Sequence, residues 1–429
     1  MGRGWSTARR FATRFPDFGH TNAYCGPMVS QWNSEYGLVV SIGLVLAFLF
    51  TVDGLRSVRS RLPKKLPVVA NALLSRAEQV LYGRLVRAFP GHVVLAQVAL
   101  SQLLTVDRAQ AVDLAVRVAE KAKAAVWVSP FSARCSFPER HPQFAGFLHA
   151  SPGQLSSALR DHDVVVVIGA PVFTFHVEGH AEIFDGTTAL FQITDDPTAA
   201  AVTPHGTSII ATMKPALGML MDLLPDTQRA VPKGRVLPPA PPAAEPIPVE
   251  YLLHALSVAM PDDAVLVEEA PSHRPAMQKF MPMRGQDSFC TMASGGLGFG
   301  LPAAVGTALG RPGVRTVCLI GDGSAMYSIQ ALWTAAQRKL PLTVVVINNS
   351  GYGAMRSFSQ VMQVRNVPGL DLPGIDFVAI AQGMGCDAVR VSQSSELAGA
   401  LKRGLAFEGT SLIEVMVDSA VPLLYAHKN

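Results

Sequence analysis

Charge is scarce in this 429-residue chain: 16% of residues are Asp, Glu, Lys or Arg, against 49% hydrophobic. A composition so poor in charge implies a sizeable buried core, and the length suffices for two or three domains. The net charge is only +4, and much of the excess lies in the first 65 residues. It therefore gives no reason to expect a nucleic-acid partner. Cysteine is also sparse, with five residues at 25, 135, 290, 318 and 386. None stands at a zinc-binding spacing, and scattered thiols in odd number fit a reducing compartment. A dinucleotide fingerprint is lacking too. The glycine-rich run ASGGLGFGLPAAVG (Ala293–Gly306) does not fit G-x-G-x-x-G.

What is present is clearest between Arg315 and Phe358, read as strand, tight turn, helix, strand, loop. Arg315–Ile320 and Leu342–Ile347 are apolar runs rich in β-branched residues, as in strands buried on both faces of a parallel sheet. Between them Met326, Ile329, Trp333 and Ala336 recur at helical spacing, and Pro341 follows. The polar residues lie where a βαβ unit holds a ligand, at the carboxyl ends of its strands: Gly321-Asp322-Gly323 and Asn348-Asn349. Asp322 offers a carboxylate oxygen and Asn349 an amide oxygen, which suit Mg²⁺ shared with a phosphate. The glycines let the backbone approach that phosphate, and the helix start adds donors.

Elsewhere the pattern alternates. Strands are expected at Ala125–Val128, Asp163–Ile168, Leu190–Thr194, Ala264–Val267 and Leu412–Val417, with helices at Ser151–Arg160 and after Pro248. Such alternation implies doubly wound parallel sheets, an α/β fold in two domains, 111–230 and 250–429. The Pro/Ala-rich stretch 231–249 between them reads as a stiff, extended linker.

The first 110 residues are of another kind. Residues 1–35 show no periodicity and are expected to have little order. Gly37–Val52 carries no charge and is near the short limit of roughly 17–25 residues for a membrane helix. Arg56, Arg59, Arg61, Lys64 and Lys65 follow, which puts the downstream chain in the cytoplasm by the positive-inside rule. An inner-membrane anchor at residues 36–52 is therefore expected, with a cytoplasmic protein as the alternative. Residues 53–110 add a basic segment, then a helix over Arg76–Phe89 and a strand over His92–Gln97. Residues 66–110 resemble the opening of a bacterial domain family of unknown function with a nuclease-like fold. No acidic-plus-lysine nuclease site follows them.

GDG, an amphipathic helix, an apolar strand and NN together resemble the thiamine-diphosphate motif of the decarboxylase and acetolactate-synthase superfamily. VWVSP, RCSFPERHPQF and VIGAPVFTFH resemble the benzoylformate-decarboxylase branch of that family in particular. The resemblance covers roughly residues 111–429. It implies thiamine diphosphate and Mg²⁺ as cofactors, with Asp322, Asn349 and the Gly351 carbonyl on the metal. It also implies Ser272, Gly295, Gly321, Gly323, Ser324 and Tyr327 at the cofactor, and Leu297 as the apolar wedge between its rings. His176 would act in proton transfer, with His180 nearby as a decoy. Ala354, Met355 and Phe358 would wall an apolar pocket for an aromatic or branched side chain.

The implied reaction is non-oxidative decarboxylation of a small-molecule 2-oxo acid to an aldehyde. The family's pyrimidine-binding domain, with its activating glutamate, has no counterpart in residues 1–110. Activity of the chain alone is therefore expected to be impaired. A homo-oligomer or a separate pyrimidine-domain chain would be the partner. The alternative is a fused or truncated, membrane-anchored protein whose thiamine module binds without catalysis.

Overall fold

The computed structural model describes residues 105–175, 184, 188–292, 295–420 and 424, all within one compact unit, Val69–Asn429. The expected disordered stretch, membrane span, basic segment, helix and strand upstream of residue 105 lie outside the described residues, as do His176 and His180. Among the described residues no helix is long and apolar enough to cross a membrane.

In chain order the first part comprises α1 (Thr105–Ala122), β1 (Val126–Val128), β2 (Phe144–Phe147), α2 (Pro152–Leu159) and β3 (Val164–Ile168). β4 (Ala189–Thr194), α3 (Pro197–Ala201), β5 (Thr207–Ile210) and α4 (Met213–Leu223) complete it. β1 and β2 form one parallel pair, and β3, β4 and β5 form a separate parallel sheet. In the Asp163–Ile168 run, expected as a strand and found as one, Val164 and Val166 are 51% and 41% exposed.

The second part begins with α5 (Val249–Ala259), β6 (Val265–Glu269), α6 (Arg274–Phe280), β7 (Phe289–Thr291) and α7 (Gly300–Gly310). It continues with β8 (Thr316–Gly321), α8 (Asp322–Ala325), α9 (Ala331–Gln337), β9 (Leu342–Asn348) and α10 (Gly353–Val361). α11 (Phe377–Gly383), β10 (Asp387–Val391), α12 (Ser394–Ala406) and β11 (Ser411–Met416) close it. Its six strands are all parallel, in the order β10-β11-β9-β8-β6-β7.

Strand period divides the core into two layers. Val317, Leu319, Val345 and Ile347 face one side, under α5, α6 and α12. Cys318, Ile320, Val344 and Val346 face the other, under α7, α9 and α11. Strands covered on both faces read as unbroken apolar runs, which is why β8 and β9 stand out in the sequence.

The crossover between them departs from expectation. It is not one helix but two short ones, α8 and α9, separated by turns. Its core side is Ala325, Leu332 and Ala335, while Met326 and Trp333 are 40% and 58% exposed. Of the stripe read from the sequence, Ile329 and Ala336 pack against this core, and Met326 and Trp333 do not.

The linker runs without helix or strand from Leu224 to Pro248, yet it is pinned. Ile247 is fully buried and bridges to Val417. Arg235 joins the two domains: its backbone N–H donates to the Phe144 carbonyl at 2.8 Å. Its guanidinium donates to the Gln278 carbonyl at 2.6 Å and to Glu139 Oε2 at 3.1 Å. Glu139 Oε2 also accepts from the Met283 N–H at 3.1 Å.

Candidate active site

β8 and β9 lie side by side in parallel, with Gly321 opposite Ile347, so their polar ends emerge together. Asp322 opens α8 and is 3% exposed. Its Oδ1 accepts from the Gly323 N–H and its Oδ2 from the Gly351 N–H, each at 2.8 Å. One carboxylate thus ties the turn after β8 to the loop after β9. Burial pushes the Asp322 carboxyl above its usual range, while the Gly323 and Gly351 amides and the Arg356 charge pull it down.

The two asparagines divide the work. Asn348 Nδ2 donates to Glu414 Oε1 on the adjacent β11 at 2.7 Å, and its Oδ1 accepts from the Ser350 N–H at 3.0 Å. Asn349 is 2% exposed, and its Nδ2 has no partner. A buried amide left unpaired is costly unless a ligand meets it. Asn348 is structural, and Asn349 is held in reserve.

Gly351 pairs with Asp371 across an antiparallel bridge, and Tyr352 N–H donates to the Leu370 carbonyl at 2.9 Å. Arg356 fastens this strap, donating to Asp371 Oδ1 at 2.7 Å and to the Ser350 carbonyl at 3.0 Å. A Cβ on Gly351 would strike both the Arg356 guanidinium and the Leu370 carbonyl. Gly323 is equally confined, with a Cβ there 2.5 Å from the Tyr352 ring.

The remaining candidates share this edge of the sheet. Ser324 is buried in α8, and Tyr327, just beyond it, is 56% exposed. Ser272 is half-buried in the turn after β6. Gly295 has φ +74°, and Leu297 is half-buried in the turn leading into α7. Ala354, Met355 and Phe358 occupy the first two turns of α10, with Met355 51% exposed and the other two half-buried. Asp322 and Gly351 are thereby in direct contact, with Asn349 two residues upstream in the same loop. His176 is not among the described residues.

Glu269 escaped the sequence reading. It ends β6, is 4% exposed, and accepts from the N–H groups of Gly298, at 2.7 Å, and Gly300. The signal available was Glu268-Glu269 at the end of an apolar strand. Glu268 is neutralised by Arg274 at 2.6 Å; Glu269 meets only backbone.

These residues fit a divalent cation carrying a phosphate group. They offer a buried carboxylate and an amide oxygen to the cation, and to the phosphate the unpaired Asn349 Nδ2 donor and close-approaching glycine backbone.

Comparison with known proteins bears on the phosphate half of this fit. The thiamine pyrophosphate enzyme central domain matches residues 105–220, and the C-terminal TPP binding domain of the same enzymes matches 270–415. The chain is 40% identical over 320 residues to benzoylformate decarboxylase of Pseudomonas aeruginosa, covering 74% of this chain and 60% of that one. Against acetolactate synthase isozyme 1 large subunit of Escherichia coli it is 27% identical over 296 residues, 66% of this chain and 52% of that one. Among solved structures, benzoylformate decarboxylase from Polynucleobacter necessarius superposes with TM-score 0.71 at 37% identity, covering 74% of this chain and 61% of the other. The thiamine diphosphate-dependent 4-hydroxybenzoylformate decarboxylase of Rhodococcus jostii gives TM-score 0.69 at 35% identity, over 77% and 67% of the two chains. The chain thus spans about 60% of the length of the first relatives it matches.

Proposed function

The chain belongs to the thiamine pyrophosphate enzyme family, and we propose that it holds the diphosphate end of thiamine diphosphate through Mg²⁺. We propose further that it serves the non-oxidative decarboxylation of an aromatic or branched 2-oxo acid. The observation that supports this reading is the buried Asp322 carboxylate bridging two strand-end loops, with the unpaired Asn349 Nδ2, a donor suited to a phosphate oxygen, in the second of them.

Asp322, Asn349 and the Gly351 carbonyl would hold the metal. Gly321, Gly323, Ser324, Tyr327 and Ser272 would meet the diphosphate, with Gly295 and Leu297 nearer the rings. Bound thiamine diphosphate would supply the electron sink that lets a 2-oxo acid release carbon dioxide. The protein's part is to orient the substrate against the apolar wall of Ala354, Met355 and Phe358, and to move a proton, for which His176 is the candidate.

Turnover in this reading calls for a second surface over the site, from another copy or from a chain carrying a pyrimidine-binding domain. Exposed Met326, Tyr327, Trp333 and Met355 support it. Attachment to the inner membrane through residues 36–52, with the domains in the cytoplasm, rests on the uncharged run and the basic residues after it. Binding without catalysis, in a fused or truncated anchored protein, is the second reading, favoured by the same uncovered apolar surface.

Calorimetric titration of the full chain with thiamine diphosphate, with and without Mg²⁺, tests the proposal beside Asp322→Ala. Mg²⁺-dependent binding that the substitution abolishes is the expected result. Absence of binding by the unsubstituted chain would overturn it. Decarboxylation of benzoylformate, assayed on the same samples, separates catalysis from binding alone.

A further inference from the structure

We infer that Glu269 is a positioning residue: its carboxylate, delivered from the end of β6, clamps the backbone of the turn Gly295–Gly300 and so fixes where Leu297 stands. The inference deepens the proposed thiamine diphosphate site and rests on that reading for its ligand half.

The geometry is specific. Glu269 Oε1 accepts from the Gly298 N–H at 2.7 Å, and Oε2 accepts from the Gly300 N–H. Two amides of one turn therefore converge on one side chain. Gly298 stands just before the cap of α7 and Gly300 is its first residue, while Pro302 removes another donor. A helix start presents unpaired N–H groups and a positive potential, and a carboxylate answers both. Among the described residues no ion pair reaches Glu269, and Arg274 is engaged by Glu268 and Thr291.

The approach is close. A Cβ on Gly300 would lie 2.9 Å from Glu269 Cβ, so the helix start sits directly against the strand end. Gly298, at φ +96°, turns the chain beside Tyr327 Cβ, 3.2 Å from where its own Cβ would be. Leu297 stands immediately before these tethered amides, with nothing but its own backbone between it and the clamp. β6 and β8 are neighbours, with Glu269 opposite Ile320, so the clamp borders the Asp322 turn without joining its ligands.

The clamp acts on the part of the site that would meet the cofactor's rings. The metal and diphosphate loops are held separately, by Asn348 and Arg356. Losing the clamp should therefore weaken a ligand with rings and spare one without them.

The test compares Glu269→Gln, close in shape but able to accept through one oxygen only, with Leu297→Ala and the unsubstituted chain. Three readouts are taken: amide hydrogen exchange over residues 295–305, affinity for Mg²⁺–thiamine diphosphate, and affinity for Mg²⁺–pyrophosphate. Expected for Glu269→Gln are faster exchange across the turn, about tenfold weaker thiamine diphosphate binding, and unchanged pyrophosphate binding. Leu297→Ala should give the same binding split.

Equal weakening of both ligands would mark Glu269 as merely structural and overturn the inference, as would unchanged exchange or unchanged thiamine diphosphate affinity. If the unsubstituted chain binds neither ligand, the cofactor reading fails and takes the ligand half of the inference with it. Exchange in the absence of ligand then judges the clamp alone.

Discussion

Replacing Arg235 by leucine should destabilise the protein far more at alkaline than at acid pH. Glu139 is buried, and its side chain is only 5% exposed. Burial pushes its carboxyl up to about 7 from an ordinary 4.5, against the pull of the Met283 amide and of Arg235. The native state therefore binds this proton more tightly than the unfolded chain does. The resulting stability is full below about pH 4.5 and is lost as pH rises through about 7. At about 1.4 kcal/mol per pKa unit, the swing is roughly 3 kcal/mol.

At about pH 8 Glu139 is ionised and depends on Arg235. Removing one partner of a buried pair costs about 3–5 kcal/mol. At about pH 5.5 Glu139 holds its proton in both proteins. What Arg235→Leu then loses is the bond to Gln278 and the guanidinium stacked 4.7 Å from the Phe144 ring. Those are worth about 1–2 kcal/mol. The destabilisation should therefore be about 2 kcal/mol larger at the higher pH. His273, lowered to about 4 by burial, acts in the opposite sense, since its contribution is lost as pH falls. It is common to both proteins and cancels in the difference. Urea midpoints of the two proteins at the two pH values measure the effect. A loss as large at pH 5.5 as at pH 8 would mean that Arg235 acts through the phenylalanine rings and not through Glu139.

The adjacent asparagines should separate cleanly. Asn348→Ala leaves the buried Glu414 carboxylate short of a donor and should lower stability by about 1–3 kcal/mol, read from thermal melts. Asn349→Ala removes an unpaired buried amide, so it should leave the ligand-free melt unchanged or raise it while eliminating Mg²⁺–pyrophosphate binding. The reverse pattern would refute the division of roles. Gly351→Ala forces the 370–371 strap away from Arg356 and should cost about 1–3 kcal/mol, with metal affinity falling by about tenfold. Calorimetry and melts on that variant check both, and an unchanged metal affinity would show the strap to be dispensable.

Legibility in the sequence followed burial. β8 and β9, expected at Arg315–Ile320 and Leu342–Ile347, are found at Thr316–Gly321 and Leu342–Asn348, since double-sided burial leaves an unbroken apolar run. β2, with Gly146 in its four residues, and β5, mostly exposed, carry no such run and were not foreseen. The Asp322 and Asn349 candidates were visible because strand-end polar residues interrupt apolar ones. Which asparagine is structural was not, because Asn348 is settled by Glu414, 66 residues away. Glu269 was hidden for the same reason: its partners lie 29 and 31 residues downstream. Periodicity reports which residues recur on a face and not how deeply each is covered: of the crossover stripe, Ile329 and Ala336 pack on the core, while Met326 and Trp333 are exposed.

The two sides of the candidate site are built to different degrees. The metal side is locked within the chain: Asn348 fastens the end of β9 to β11, Arg356 fastens the strap, and Asp322 joins the two turns. Each of these contacts is made within the chain itself, and preorganisation of this kind favours binding. Toward the other side Met326, Tyr327 and Met355 are 40–56% exposed. A dry, enclosed pocket is what strengthens the electrostatics a reaction needs, and in the proposed reading a second surface would complete it. In the proposed reading, affinity for the diphosphate end and competence to turn over a 2-oxo acid would therefore rest on separate structural elements. A protein that binds without catalysing would be consistent with every contact on the metal side.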